Sequence, residues 1–185
     1  MKINYSFIFL LIFSLYTGYF KQLSLFVLCL LIHELGHILF IILFNVKIKK
    51  FNLAFYGGIL ELDNNQYNNL DKFKKVLIYL GGILFNFIFY LLFKKYSFSN
   101  YHLILLIFNL LPIYPLDGYN ILRILIPNIV INNISVIFIV SLLIFSIYNN
   151  SLGLIMISII LIIKNIRYYR EKDKIYLLKL INNMV

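Results

Sequence analysis

Long apolar runs restrict this sequence more than any other feature. Each of six runs approaches the ~20 residues that a helix needs to cross a bilayer. Together they raise the hydrophobic share of the sequence to 62%, against roughly 45–50% in soluble domains. We therefore predict an all-α polytopic membrane protein with about six transmembrane helices. The runs cover residues 4–20, 23–45, 76–93, 101–126, 128–148 and 151–168.

The polar sequence between these runs is too short for a separate soluble domain. We expect residues 1–168 to form one membrane domain and residues 169–185 to form a short basic cytoplasmic tail, whose apolar residues predict a short interfacial helix. A cleavable signal peptide is not expected, because the first run lacks a small-residue cleavage site. The single cysteine, Cys29, excludes an internal disulfide and argues against a cysteine-based metal site.

The net charge of +10 is distributed unevenly along the chain. With six spans, one side of the membrane receives Lys2 and the basic residues of 47–75 and 164–179, whereas the other side receives Lys21, Lys94 and Lys95. Lysine and arginine near membrane ends favour the cytoplasm, so we predict that both termini are cytoplasmic. Contact with anionic lipid accounts for the basic loops, and no nucleic-acid partner is expected.

Two stretches are predicted not to be helical. The sequence "FNLAFYGGILEL" at 51–62 alternates in size and polarity around a "YGG" turn, which is typical of a β-hairpin. We place it at the cytoplasmic membrane surface, where its edge could accept a peptide as an added strand; an amphipathic loop resting on lipid is the alternative. Pro112 and Pro115 break the fourth run, and such a break is tolerated in a membrane only where protein or a cavity satisfies the backbone.

The second run contains three ionisable residues in "HELGH" at 33–37. His33 and His37 are four positions apart, so on a helix both side chains share one face and can hold one metal ion. In this H-E-x-x-H arrangement the two histidines bind zinc and the glutamate, here Glu34, acts as a base. Ionisable residues inside a membrane are costly and usually functional, which favours a metal site.

A catalytic zinc takes a third protein ligand and keeps one position open. The extended zincin pattern fails, because Phe40 and Leu43 stand where it needs glycine and histidine, and Glu61 lies in the polar loop. Asp117, in the broken fourth run, remains. At 1.5 Å per residue, a helix entering near residue 23 reaches the two histidines after roughly 15–21 Å, and one entering from the same side near residue 102 reaches Asp117 after roughly 22 Å.

"HELGH" together with "FNLLPIYPLDG" resembles the site-2 protease family of intramembrane zinc metalloproteases, and most of all its sporulation branch. The family pairs H-E-x-x-H with N-x-x-P-x-x-P-x-D-G. "GGILFN" at 81–86 resembles its A-G-P-x-x-N element, and "FYGG" at 55–58 resembles its membrane-associated hairpin. The matching residues after H-E-x-x-H are Asn86, Asn109, Pro112, Pro115, Asp117 and Gly118.

The resemblance implies a zinc metalloendopeptidase that cleaves a membrane-associated segment, with Glu34 as the catalytic residue and one zinc ion held by His33, His37 and Asp117. The residues it implies for substrate positioning are Asn86, Asn109, Pro112, Pro115 and Gly118. It also implies a sigma-factor precursor as substrate, inhibitory membrane proteins as partners, and the bacterial membrane around the forespore as the location.

The sequence departs from the family pattern in two places. The family often continues D-G-G-R, whereas Tyr119 and Asn120 follow Gly118, and Ile83 replaces the proline of the A-G-P-x-x-N element. Neither change removes a candidate ligand. Sporulation members usually carry a C-terminal nucleotide-sensing (CBS) domain, which we do not expect here.

Other interpretations of the same residues are open. An ion or metal transporter also places polar groups at membrane depth, and a non-catalytic membrane scaffold would need only a buried polar network. Asn86 and Asn109 could be interhelical hydrogen-bond donors. Cys29, one turn before the first histidine, is better explained as a small buried thiol than as a fourth ligand, and we place His102 at the far membrane edge.

Overall fold

The computed structural model describes residues 2–3, 15–54 and 57–182. The chain divides into two compact units, residues 1–110 and 111–185. The first unit contains strands β1 (Lys2–Ile3), β2 (Ile48–Ala54) and β3 (Gly57–Leu62) and helices α1 (Phe20–Leu43), α2 (Asn64–Asn68), α3 (Lys72–Leu92) and α4 (Ser99–Leu110). The described part of the second unit contains helices α5 (Asp117–Leu125), α6 (Asn128–Tyr148) and α7 (Leu152–Asn182).

Within the described residues, four helices are long and apolar enough to cross a membrane: α1, α3, α6 and the Leu152–Glu171 part of α7. They coincide with four of the predicted runs, and their 20–24 residues correspond to roughly 30–36 Å of helix, enough for a hydrocarbon core of about 30 Å. The prediction of six spans is not confirmed. Most of the first run, residues 4–14, lies outside the described residues.

The fourth predicted run forms two short helices instead of one long helix. Helix α4 has 12 residues and α5 has 9, so neither reaches the ~20 residues of a spanning helix alone. The residues between them, 111–116, are not helical and include Pro112 and Pro115. A single proline-broken span made from both helices stays a prediction.

The predicted hairpin is present in the first unit. Strands β2 and β3 pair antiparallel, with Phe51 opposite Leu60 and Leu53 opposite Gly58, and β2 begins three residues before the predicted start. Strand β1 adds to β2 in parallel, with Lys2 opposite Asn52. This third strand was not predicted. Its two residues pair with positions about fifty residues further along the chain, and no local pattern indicates that pairing.

The hairpin is attached to the helices through its end. Asp63 Oδ1 accepts hydrogen bonds from the backbone N–H groups of Asn65 (3.1 Å) and Gln66 (3.2 Å) and so caps α2. Its carboxylate also contacts Lys49 Nζ at 2.8 Å. The hydrogen bond from Lys49, followed by those from the backbone, holds the pKa of Asp63 below its usual value. An apolar cluster of Ile41, Val46 and Ile78 with the partly buried Leu60 and Leu62 fixes the hairpin against α1 and α3.

Glycines allow α1 and α3 to pack at backbone distance. A Cβ added at Gly36 would overlap the carbonyl oxygen of Gly81, and a Cβ added at Gly81 would overlap that of Gly36. Small residues at a membrane helix interface permit this close approach. The side chains that face each other near this crossing are therefore brought closer together than larger residues would allow.

In the second unit, polar side chains satisfy the irregular backbone of residues 111–116. Tyr114 N–H donates to Ser135 Oγ (3.3 Å), and Asn165 Nδ2 donates to the Tyr114 carbonyl oxygen (2.8 Å). Ser135 lies on α6 and Asn165 on α7, and both are buried. Protein groups thus replace the hydrogen bonds that a helix would have made there.

The tail does not form the separate short helix that we predicted. Helix α7 continues from Leu152 to Asn182 without a break, over 31 residues. At 1.5 Å per residue this is roughly 46 Å, which exceeds the hydrocarbon core of about 30 Å. The physical reason is that no proline or glycine interrupts the sequence between the apolar and the charged part, so the helix propagates.

Candidate metal centre

Two imidazoles face each other in the middle of α1. The Nε2 atoms of His33 and His37 are 3.1 Å apart, and the rings are nearly perpendicular, at 88°. Both side chains are buried, with 3% and 7% exposed. The i, i+4 spacing on a helix therefore places the two histidines as the sequence predicts.

Hydrogen bonds on the far side of each ring fix the imidazole orientations. His37 Nδ1 lies 2.8 Å from the carbonyl oxygen of Ile78. A carbonyl only accepts, so Nδ1 carries the proton and Nε2 presents its lone pair. His33 Nδ1 is 3.0 Å from the side-chain amide of Asn86. Metal-binding histidines are typically held in this way by a partner on the nitrogen that does not bind the metal.

Gly82 keeps the space in front of the two Nε2 atoms open. A Cβ added there would lie 2.6 Å from His37 Nε2 and 2.7 Å from His33 Nε2. Zinc binds imidazole nitrogen at about 2.0–2.1 Å in tetrahedral geometry, which places two such nitrogens roughly 3.4 Å apart. The separation of the two nitrogens and the space beside them therefore fit a zinc ion.

Asp117 is the third metal-binding side chain to consider. It is buried, with 8% exposed, and is the first residue of α5, where the positive end of the helix dipole favours a carboxylate. The two histidines lie in the first unit and Asp117 in the second, so the ligand set of His33, His37 and Asp117 stays a prediction. The rejected alternative, Glu61, is exposed and pairs with Lys50 at 3.4 Å.

The remaining predicted site residues have varied surroundings. Glu34 is buried on α1 beside His33, with 5% exposed. Asn109 is half-buried and donates to the Leu105 carbonyl of its own helix at 3.0 Å. In the second unit, Pro112 and Gly118 are buried and Pro115 is half-buried. The positioning of substrate by these residues is not tested by their placement and stays a prediction.

Asn86 has partners at both ends of its side chain. It is completely buried, with 0% exposed, and it contacts His33 on one side and His102 Nδ1, at 2.9 Å, on the other. It therefore holds a candidate metal ligand, a role that its position in the sequence did not reveal.

Cys29 packs with Leu30 and Leu105 in an apolar cluster. It is buried, with 1% exposed, in agreement with a small buried thiol.

Sequence reasoning missed several residues of this centre. His102 is completely buried and contacts Asn86, a contact that sequence reasoning did not indicate because it arises where α4 packs against α3; its expected place at the far membrane edge stays a prediction. Gly36, Gly81 and Gly82 were not recognised as packing residues. Their occurrence within two predicted membrane helices was the available signal, since glycine there often marks a close helix contact.

Comparison with known proteins agrees with this geometry. Residues 22–101 match the family model described as Peptidase family M50. Stage IV sporulation protein FB of Bacillus subtilis (strain 168) is 35% identical over 124 residues, which are 60% of this chain and 42% of that protein. The match thus spans about two-fifths of the curated relative.

The fold also resembles a solved structure. The chain matches the site-2 protease from Methanocaldococcus jannaschii with a TM-score of 0.70 and 23% sequence identity, over 89% of this chain and 88% of that one. At this identity the likeness shows a shared fold. Over residues 22–101 the chain therefore matches peptidase family M50, and the resemblance to the site-2 protease family that its sequence motifs indicate is confirmed.

Proposed function

We propose that this chain is an intramembrane zinc metalloendopeptidase, which hydrolyses a peptide bond in or near a membrane-associated segment of a protein. The observation that carries the proposal is the pair of buried imidazoles with facing Nε2 atoms beside Glu34. They lie within a helix that is long and apolar enough to cross a membrane. Buried ionisable groups in such a helix are costly, so a function must retain them.

His33 and His37 would hold the ion through Nε2, and Asp117 would provide the third ligand. A carboxylate completes a set of two histidines and one acid, which is a known catalytic zinc set that leaves one position open. Support for Asp117 comes from its burial, from its place at a helix N-terminus and from its match to the aspartate of the family motif. A transporter is a weaker candidate, because His33, Glu34 and His37 are buried together on one helix instead of following a path.

A bound zinc ion would supply a Lewis acid that polarises the scissile carbonyl and acidifies the attacking water. Glu34 accepts the proton from that water and later donates it to the leaving nitrogen, as a general base and then a general acid. A substrate helix must unwind before its peptide bond can react, because its carbonyl oxygens are occupied by hydrogen bonds. Asn109, Pro112, Pro115 and Gly118 are proposed to line the place where the unwound segment lies.

The proposed substrate is a membrane-associated precursor of a sporulation sigma factor, and membrane proteins are proposed to inhibit the enzyme. The support is the 35% identity to a protein named for stage IV of sporulation and the sporulation-branch motifs of the sequence. The proposed location is accordingly the bacterial cell membrane around the forespore, with both termini in the cytoplasm.

The test combines zinc analysis with a cleavage assay. Purified wild-type protein should contain about one zinc ion per chain, and His37→Ala and Asp117→Ala should lose most of it. Glu34→Gln preserves size but removes the base, so zinc content should stay unchanged while cleavage of co-expressed sigma-factor precursors falls by about 10²–10⁴-fold.

Two outcomes would contradict the proposal. Cleavage by Glu34→Gln at a rate near that of the wild type would show that the mechanism is wrong. Full zinc retention in Asp117→Ala, together with zinc loss in Glu61→Ala, would show that the third ligand is wrong.

A further inference from the structure

Three buried side chains form a hydrogen-bonded set that extends outward from the candidate metal centre. Asn86 Nδ2 lies 3.0 Å from His33 Nδ1, and Asn86 Oδ1 lies 2.9 Å from His102 Nδ1. The three residues come from α1, α3 and α4, and Asn86 and His102 are both 0% exposed. We call His33, Asn86 and His102 the polar triad.

Two arrangements of the protons satisfy both hydrogen bonds of the polar triad. In the first, His102 Nδ1–H donates to the Asn86 oxygen, the Asn86 amide donates to His33 Nδ1, and the His33 proton is on Nε2. In the second, the amide is rotated by a half-turn, so its NH₂ group donates to His102 Nδ1 and its oxygen accepts from His33 Nδ1–H. The heavy-atom positions are nearly the same in both, because amide oxygen and nitrogen are almost equal in size.

The two arrangements differ in their consequence for the metal. A neutral histidine that binds zinc through Nε2 must carry its proton on Nδ1. Only the second arrangement gives His33 that tautomer. His37 already has it, because the Ile78 carbonyl accepts from its Nδ1–H at 2.8 Å. The orientation of the Asn86 amide therefore decides whether one histidine or both can offer a lone pair to the ion.

His102 is able to accept the hydrogen bond that the second arrangement requires. Its Nε2 is buried without a hydrogen-bond partner in the described part of the chain, so no contact there opposes a proton on Nε2 and a lone pair on Nδ1. The ring packs against Phe89 and Phe98, with centroid distances of 5.5 and 6.4 Å. These apolar neighbours favour the neutral ring, because a buried charge without a counter-charge is costly.

We propose that His102 is a positioning residue, which accepts a hydrogen bond from Asn86 and thereby holds His33 in the tautomer that binds zinc. The proposal rests on the metal site proposed above and extends it to a residue that does not touch the ion. A leucine at 102 would remove the acceptor. The amide orientation that points the Asn86 oxygen toward His33 would then lose the hydrogen bond that stabilises it.

A double-mutant cycle in the full-length protein, solubilised in detergent, tests this role. Zinc affinity is measured by competition with a chelator for the wild type, His102→Leu, Asn86→Asp and the double variant. His102→Leu should weaken zinc binding by about 10–100-fold, the range for partners that orient a ligand. A carboxylate at 86 accepts from His33 with either oxygen, so adding His102→Leu to Asn86→Asp should change the affinity less than about threefold.

Two further variants separate positioning from packing. His102→Gln keeps a side-chain oxygen that can accept from Asn86, so it should recover part of the affinity that His102→Leu loses. Leu105→Ala removes a buried side chain from the same helix, outside the polar triad, and should leave zinc affinity near that of the wild type. The visible spectrum of the cobalt-substituted protein should change in His102→Leu and not in Leu105→Ala.

The outcomes distinguish this proposal from the function on which it rests. A wild-type protein that binds no zinc would overturn both. If the wild type binds zinc and His102→Leu weakens it no more than Leu105→Ala does, the role of His102 is overturned and the metal site stands. An equal loss from His102→Leu in the Asn86 and the Asn86→Asp backgrounds would also overturn it, because the effect would then not pass through the amide.

Discussion

Gly82 shapes the candidate metal centre together with the two histidines. The histidines supply the nitrogens, but a methyl group at position 82 would lie 2.6–2.7 Å from both Nε2 atoms, inside the space that the ion needs. The third glycine of this helix crossing thus has a different role from Gly36 and Gly81, whose small size allows the backbones to meet.

We therefore expect Gly82→Ala to lose zinc while remaining folded. Alanine is a better helix former than glycine by about 1 kcal/mol, so a loss of zinc would not result from a weaker helix. The measurement is zinc content after purification, which should fall at least tenfold relative to the wild type, since the Cβ must displace an imidazole. Gly153→Ala is the matched control, because a Cβ at that helical position meets no atom within 4 Å. Normal zinc content in Gly82→Ala would show that the ion does not lie in front of the two Nε2 atoms.

At the scale of elements, the outer side of β3 is a strand edge that no described strand occupies. The strand order is β1–β2–β3, so β2 is the central strand and β3 pairs on one side only. Outward-pointing N–H and C=O groups on such an edge can pair with an extended peptide. We therefore expect substrate to add at the outer side of β3.

Proline scanning across Ile59–Leu62 tests that role. Proline removes a backbone donor, and alternate residues of an antiparallel strand direct their N–H groups away from the partner strand. We expect proline at outward-pointing positions to reduce cleavage at least tenfold with unchanged zinc content, because the added strand would lose a hydrogen bond and meet the proline ring. Alanine at the same positions should be milder, since it keeps the N–H group. Normal cleavage by every proline variant that binds zinc would leave the hairpin as a membrane-surface loop.

At the scale of the whole molecule, the orientation in the membrane decides which compartment supplies the substrate. Helix α3 is the best place to test it, because its 21 residues cover roughly 31 Å and so can cross the hydrocarbon core. Asn65 precedes this helix and Asn100 follows it, and both are exposed. A comparison of the two positions therefore reports orientation without depending on the total number of spans.

We expect the Asn65 side of α3 to be cytoplasmic, because the basic residues of 47–75 lie there. In a Cys29→Ser background, a cysteine at Asn100 should react with a membrane-impermeant reagent in intact cells, whereas one at Asn65 should react only after permeabilisation. The fraction of labelled protein is the measurement. The reverse pattern would make a cytoplasmic sigma-factor precursor an implausible substrate.

Features that depend on neighbours along the chain were predictable from the sequence. Apolar runs of spanning length indicated α1, α3, α6 and the first part of α7, and alternation around "YGG" indicated the hairpin. The i, i+4 spacing brought His33 and His37 onto one helix face, where their Nε2 atoms meet at 3.1 Å. Such features follow from helix and strand periodicity, which acts over a few residues and can be read without knowledge of the packing.

The surroundings of the two histidines depend on tertiary packing and could not be predicted from the sequence. The glycine crossing of α1 and α3 placed Asn86 against His33, and the return of α4 placed His102 against Asn86. Tertiary packing also pairs Lys2 with Asn52. It brings Ser135 and Asn165 into hydrogen-bonding distance of the Tyr114 backbone. These contacts join residues 16 to 53 positions apart, and their formation depends on which helix faces meet and how closely they approach. Helix packing sets that approach, and no local pattern in the sequence specifies it.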